Sequence, residues 1–196
     1  MEQANAGDVN GLVTYLAHHP KALSNYSFVE ELISLACRGE HVPVLECVRD
    51  HLQLRQDECA AAGIWAPPSL QWSRHVAWVV ILALNHEHIP ILDWLHRTSP
   101  AVLRPRDMMY CTGVLGLTWM TQHVPSWRQK MSPHTIFDLV QRSLDRRRWG
   151  VLWWLKDQGV PLKQTGEACW QALQQQVAPV REILGRDVWS LVQGYM

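Results

Sequence analysis

His88-Ile89-Pro90-Ile91-Leu92-Asp93-Trp94-Leu95-His96 decides how the chain is read, because the phrase recurs. His41-Val42-Pro43-Val44-Leu45-Glu46-Cys47-Val48 is an earlier copy, and Arg148-Trp149-Gly150-Val151-Leu152-Trp153-Trp154-Leu155 is a looser later one. A fourth stands near the start, Gly7-Asp8-Val9-Asn10-Gly11-Leu12-Val13-Thr14-Tyr15-Leu16. Within each copy apolar residues recur at steps of three and four, the helical period, and strict alternation is missing. A phrase repeated along a chain points to one structural unit used several times. The expected fold is all-α, a stack of helix–turn–helix pairs forming a single domain over residues 1–196.

Working outward, Asp8 is a cap for a helix whose stripe is Val9, Leu12, Val13 and Leu16, ended by Pro20. Ser27 with Glu30 has the capping-box spacing for a second helix ending at Gly39. A third is expected from about Val42 to Leu52. The rhythm then breaks, and residues 54–70, with Ala60-Ala61-Ala62-Gly63 and Pro67-Pro68-Ser69, read as an inserted loop with a short helical turn around 57–62. Helices are expected again at 71–85 and 89–97, then a weaker pair at 107–114 and 115–123. Ser132-Pro133 opens another, as cap and first-turn proline. Its mate spans 149–157, closed by Gly159. A last pair, about 165–193, is read as the cap of the stack. The core of this arrangement is Leu12, Leu16, Leu32, Ala36, Leu45, Val48, Val80, Leu84, Leu92, Leu95, Leu139, Leu144, Leu152 and Leu155.

These residues resemble the ankyrin-repeat family, whose units are helix pairs of about 33 residues. Leu12 to Leu45 is 33 positions. Gly39-Glu40-His41-Val42 and Glu87-His88-Ile89 are similar to that family's Gly-His opening of the second helix. Leu152-Trp153-Trp154-Leu155-Lys156-Asp157-Gln158-Gly159 is similar to its Leu-Leu-x-x-Gly ending. The family's Thr-Pro-Leu-His start is nowhere intact; Ser132-Pro133-His134 is nearest. Later intervals are longer, 47 from Leu45 to Leu92 and 60 from Leu92 to Leu152. The resemblance implies a degenerate ankyrin-like α-solenoid that binds a protein through its turns and loops.

Composition narrows the function. Hydrophobic residues are 47% of the chain, enough for a sizeable core. Lys plus Arg and Asp plus Glu are 18 each, a balance that argues against broad binding to nucleic acid or an anionic membrane. Five widely spaced cysteines without a Cys-x-x-Cys pair suit a reduced, intracellular protein of cytoplasm or nucleus. The polar start lacks the basic and apolar runs of a signal peptide, and no apolar window is long enough to span a bilayer. No cofactor is expected. Eleven Trp against two Phe is a tryptophan-rich balance, and Trp anchors interfaces. That style, with the degenerate repeats, fits a viral or microbial effector that acts on host proteins. Apolar residues left over at 108–120 make self-association an expectation as well.

The candidate partner-binding residues are Trp153, Trp94, Trp65, Arg146, Arg147, Arg148, His86 and His88. With Leu152 and Leu155 facing inward, Trp153 is the foremost exposed aromatic, since Trp154 lies about 100° further round the helix. His86-Glu87-His88 lacks the four-residue His spacing of a zinc helix and reads as a turn. His41, Cys47 and His51, with His86 and His88, supply the competing reading, a small helical enzyme or zinc-binding protein. Arg142 with Arg146–Arg148 supplies a third, a nucleic-acid binder. Nucleophile signatures such as Gly-x-Ser-x-Gly and phosphate loops do not occur in the sequence, so no catalytic residue is assigned.

Overall fold

The computed structural model describes residues 4, 6–124 and 127–160, and these form nine α-helices and no strand. The expected all-α class is what the backbone shows. The chain divides into two compact units, 1–103 and 104–196. The capping pair expected at 165–193 lies outside the described residues.

The first unit holds α1 (Val9–His18), α2 (Tyr26–Arg38), α3 (Val42–Ala61), α4 (Trp72–His86) and α5 (Ile89–Thr98). They form two layers. Helices α1, α3 and α5 lie side by side, α3 touching both neighbours; α2 packs along α4, and each is backed by the helix that follows it. The interface is filled by the expected stripes: Leu12 and Leu16 from α1, Leu32 and Ala36 from α2, Leu45 and Val48 from α3, Val80 and Leu84 from α4, Leu92 and Leu95 from α5, all buried.

Local chemistry sets the helix ends. Asp8 accepts from the Gly11 N–H at 2.9 Å and caps α1. Helix α2 starts at Tyr26, one residue before the expected Ser27, because Asn25 takes the cap by accepting from the Phe28 N–H at 3.3 Å.

All four copies of the phrase begin with the same turn. A residue in the left-handed region (Gly7, Glu40, Glu87 and Arg147, with φ of 72°, 55°, 57° and 55°) is followed by an N-cap residue (Asp8, His41, His88, Arg148) and then by the helix. In three of them the N–H of the cap residue reaches back to a carbonyl of the preceding helix: His41 to Ala36, His88 to Ala83, Arg148 to Ser143. This six-residue closure is the Schellman arrangement, which occupies carbonyls that the helix end leaves over. One turn therefore ends one helix and aims the next.

The copies also meet at a constant offset. Gly7 and Glu40 are equivalent positions 33 apart, and a side chain built at Gly7 would come within 2.8 Å of the His41 ring, 34 residues on. Copies α3 and α5 are 47 apart, and His88 bonds Glu40 while Trp94 bonds Glu46, each across 48 residues. The second and third copies thus each contact their predecessor one position ahead of the repeat spacing, whether that spacing is 33 or 47.

The extra residues go into α3. The expectation of a loop at 54–70 is corrected: α3 continues to Ala61. Leu52 is its last buried residue. Beyond it the segment loses apolar periodicity but keeps helix-forming residues, with Gln53 donating to Asp57 at 2.8 Å and Arg55 paired with Glu58. Loss of a buried stripe is not loss of a helix. Gly63, at φ 68°, ends it, and a 3-10 turn at Pro68–Leu70 returns the chain.

The second unit opens with a 3-10 stretch, Pro105–Tyr110, where a helix at 107–114 was expected. Pro105 supplies no N–H, and the Asp107 carboxylate accepts the Arg104 N–H at 2.9 Å, fixing the tighter turn. Then come α6 (Val114–His123), α7 (Trp127–Lys130), α8 (Pro133–Asp145) and α9 (Trp149–Asp157). Ser132 caps α8 as expected, accepting from the Thr135 N–H at 3.1 Å. Helix α9 packs on α6 and α8, burying Leu152 and Leu155; Leu139 is buried and Leu144 only half-buried.

Candidate interaction surface

The overhang of α3 leads to two exposed apolar residues, one of them the most exposed large apolar side chain among the described residues. Ile64 is 62% and Trp65 78% exposed. The tip they occupy is held at both ends. On one side the Ile64 N–H donates to the Cys59 carbonyl at 2.8 Å and the Gly63 N–H to Ala60 at 3.0 Å. On the other, Ser69 and Leu70 are buried, and Nε2 of buried His75 donates to the Ser69 carbonyl at 2.8 Å. Leu54, one side of the same overhang, is also exposed.

A second feature runs along the seam between α2 and α4. Tyr26 packs against the His75 ring at 5.0 Å between centroids, one helical turn from Glu30. Burial of the phenol, then the Glu30 carboxylate, push its pKa upward. Trp78 donates from Nε1 to Ser34 Oγ at 3.2 Å. Both rings remain about two-fifths exposed, 42% and 38%. The sequence reading missed this pair. Their signal was legible: Tyr26, Glu30 and Ser34 step by four, as do Arg74 and Trp78, so each set shares a helix face.

The expected anchors sort differently. Trp65 is open to solvent. Trp94 is not: it is 2% exposed, donates to Glu46 Oε1 at 2.9 Å and meets Trp72 edge-on at 6.1 Å. Its indole fastens α5 to α3. Trp153 is half-buried, with Lys156 Nζ 4.4 Å above its ring. Helical angle placed it outward, but the next turn covers it. Arg146 and Arg147 are exposed and Arg148 half-buried, at the turn between α8 and α9.

His86 and His88 stack at 5.5 Å around the left-handed Glu87, and His88 Nδ1 bonds Glu40 Oε1 at 2.7 Å. They form a turn, as their spacing indicated. His41 is packed against Gly7 and Gly39, away from a chelating arrangement with Cys47 and His51. The latter two do meet, Sγ to Nδ1 at 3.6 Å, while Nδ1 also lies 2.9 Å from the Cys47 carbonyl. Burial, and then the Asp50 carboxylate, raise the Cys47 pKa, which holds the sulfur as a thiol. A nucleophile needs the opposite shift. Among the described residues no three His, Cys, Asp or Glu side chains converge as a metal site would require. No helix of the described residues is long and apolar enough to cross a membrane.

Compared with protein-family models, curated proteins and solved structures, the chain matches none.

Proposed function

We propose that this chain is a non-enzymatic protein–protein interaction module, built as a degenerate ankyrin-like stack of helix pairs, with the Ile64–Trp65 tip as its anchor. The observation that carries the reading is the 78% exposure of Trp65 on a tip fixed at both ends. An indole left in water forgoes about 1.5–3 kcal/mol of burial. A partner recovers it, and the ordered tip loses little entropy on docking. The two-layer packing and the constant contact offset between copies support the stack. The aromatic seam Tyr26–Trp78 offers a second area for the same class of partner.

The test is capture from an extract of the native source, comparing wild type with Trp65→Ala and Trp94→Phe, after thermal melts. A stoichiometric protein captured by wild type and lost with Trp65→Ala, at unchanged Tm, supports the reading. A partner held equally by Trp65→Ala removes the tip as anchor. Trp94→Phe, which drops the bond to Glu46, is expected to lower Tm and leave capture intact.

A further inference from the structure

The zero net charge is an average over two unlike units. Residues 1–103 carry six Lys and Arg against eleven Asp and Glu; residues 104–196 carry twelve against seven. The first is net negative by five and the second net positive by five. The sequence-wide balance, which argued against electrostatic partners, therefore does not describe the second unit.

Its positive excess gathers where α8 ends. Arg142, Arg146 and Arg147 are all exposed, and among the described residues none of the three enters an ion pair. The Arg142 guanidinium lies 5.7 Å over the Tyr110 ring, which supports one face and leaves its N–H edges open. A helix C-terminus attracts cations, and this accounts for Arg142 in the last turn. It does not account for Arg147. That residue holds φ 55°, a position glycine fills without strain and other residues at about 1–2 kcal/mol. The turn itself is rigid: the Arg148 N–H donates to Ser143 at 2.7 Å, and the buried Ser143 hydroxyl donates to Leu139 at 2.7 Å.

We infer that Arg142, Arg146 and Arg147 form a docking site for an acidic segment of a partner protein. A short peptide fits the pattern better than a phosphate chain. Asp138 and Asp145 stand one turn to either side of Arg142 on α8. A continuous run of phosphates meets that repulsion, while spaced carboxylates step past it and pair edge-on with guanidinium groups. The site lies in the other unit from Trp65 and stands independently of the anchor proposed there.

The test uses the full chain and two fluorescent probes, a glutamate-rich peptide of about 15 residues and a DNA duplex of about 15 base pairs, read by anisotropy at about 50 and about 300 mM NaCl. Wild type is compared with R142E/R146E/R147E, with the milder R142Q/R146Q/R147Q, and with K21E/R38E/R97E, an equal charge change in the first unit. The expected result is peptide binding that weakens about tenfold or more at the higher salt, is lost in both second-unit variants and survives in the first-unit control. Circular dichroism checks folding, and the glutamine set decides if the glutamate set unfolds. Peptide binding unchanged by the glutamine set overturns the site. Tighter binding of the duplex than of the peptide overturns the occupant in favour of nucleic acid. A dimer of wild type alone that the substitutions dissolve assigns the site to the acidic unit of a second copy and overturns it likewise.

Discussion

Glu40 Oε1 accepts a hydrogen bond from Nδ1 of His88 at 2.7 Å, joining the left-handed residue of one turn to the cap residue of the next. The same relation places His41 on Gly7 one copy earlier. Where the first turn offers a glycine, the ring packs; where the second offers a carboxylate, it bonds. A double-mutant cycle with Glu40→Ala and His88→Ala is expected to give a coupling of about 0.5–1 kcal/mol, modest because Glu40 is half exposed to solvent. A coupling indistinguishable from zero in urea unfolding shows that the two turns touch without stabilising each other.

Gly39→Ala tests how tightly the first of these junctions is built. Its φ of −89° suits any residue, but a Cβ there would sit 2.4 Å from His41 Nε2. Overpacking of about 1–3 kcal/mol is expected, read as a lower Tm. Combining it with His41→Ala removes the collision, so the second loss should be less than additive.

Leu92 and Leu54 make a matched pair. Leu92 is 0% exposed at the centre of α5, and Leu92→Ala is expected to cost about 2–5 kcal/mol. Leu54 lies on the α3 overhang, and Leu54→Ala should stay within about 0.5 kcal/mol. Equal effects in thermal melts would mean that the overhang packs against something.

Cys37 dictates an alkaline weakness. Burial pushes its thiol from 9.0 up to about 12. The folded state holds this proton more tightly than the unfolded state does. Its contribution is therefore complete below about pH 9 and is lost as pH rises towards 12, at up to about 1.4 kcal/mol per pH unit. Cys37→Ala should flatten that part of the stability–pH curve. Among the described cysteines, thiol labelling at neutral pH should reach half-buried Cys59 first and Cys37 only on unfolding.

Much of this fold was legible because it is carried by short-range signals. The four copies of the phrase marked where each second helix begins, and the positions of Leu12, Leu45, Leu92 and Leu152 gave the buried stripe. Two kinds of error remained. Helix α3 outran its stripe, since residues 53–61 keep helical propensity after their burial stops, and apolar periodicity sees only burial. Trp94 and Trp153 were misplaced because an aromatic side chain reaches past its own helix face: one finds Glu46 on the neighbouring helix, the other slides beneath Lys156. The Tyr26–Trp78 seam escaped because it needs two helices brought side by side. The division of charge between the units could not be seen in a total and needed the boundary at residue 103.

If the tip is the anchor proposed above, the overhang of α3 separates what the chain recognises from what holds it together. Residues 53–62 include no buried position, and the tip they carry is shaped by backbone bonds around Gly63 that ask little of the side chains nearby. Change there is answerable to helix propensity and to whatever docks on Trp65, and not to the packed layers beneath. On the proposed reading, this segment can drift through new specificities generation by generation while the repeat that supports it stays still.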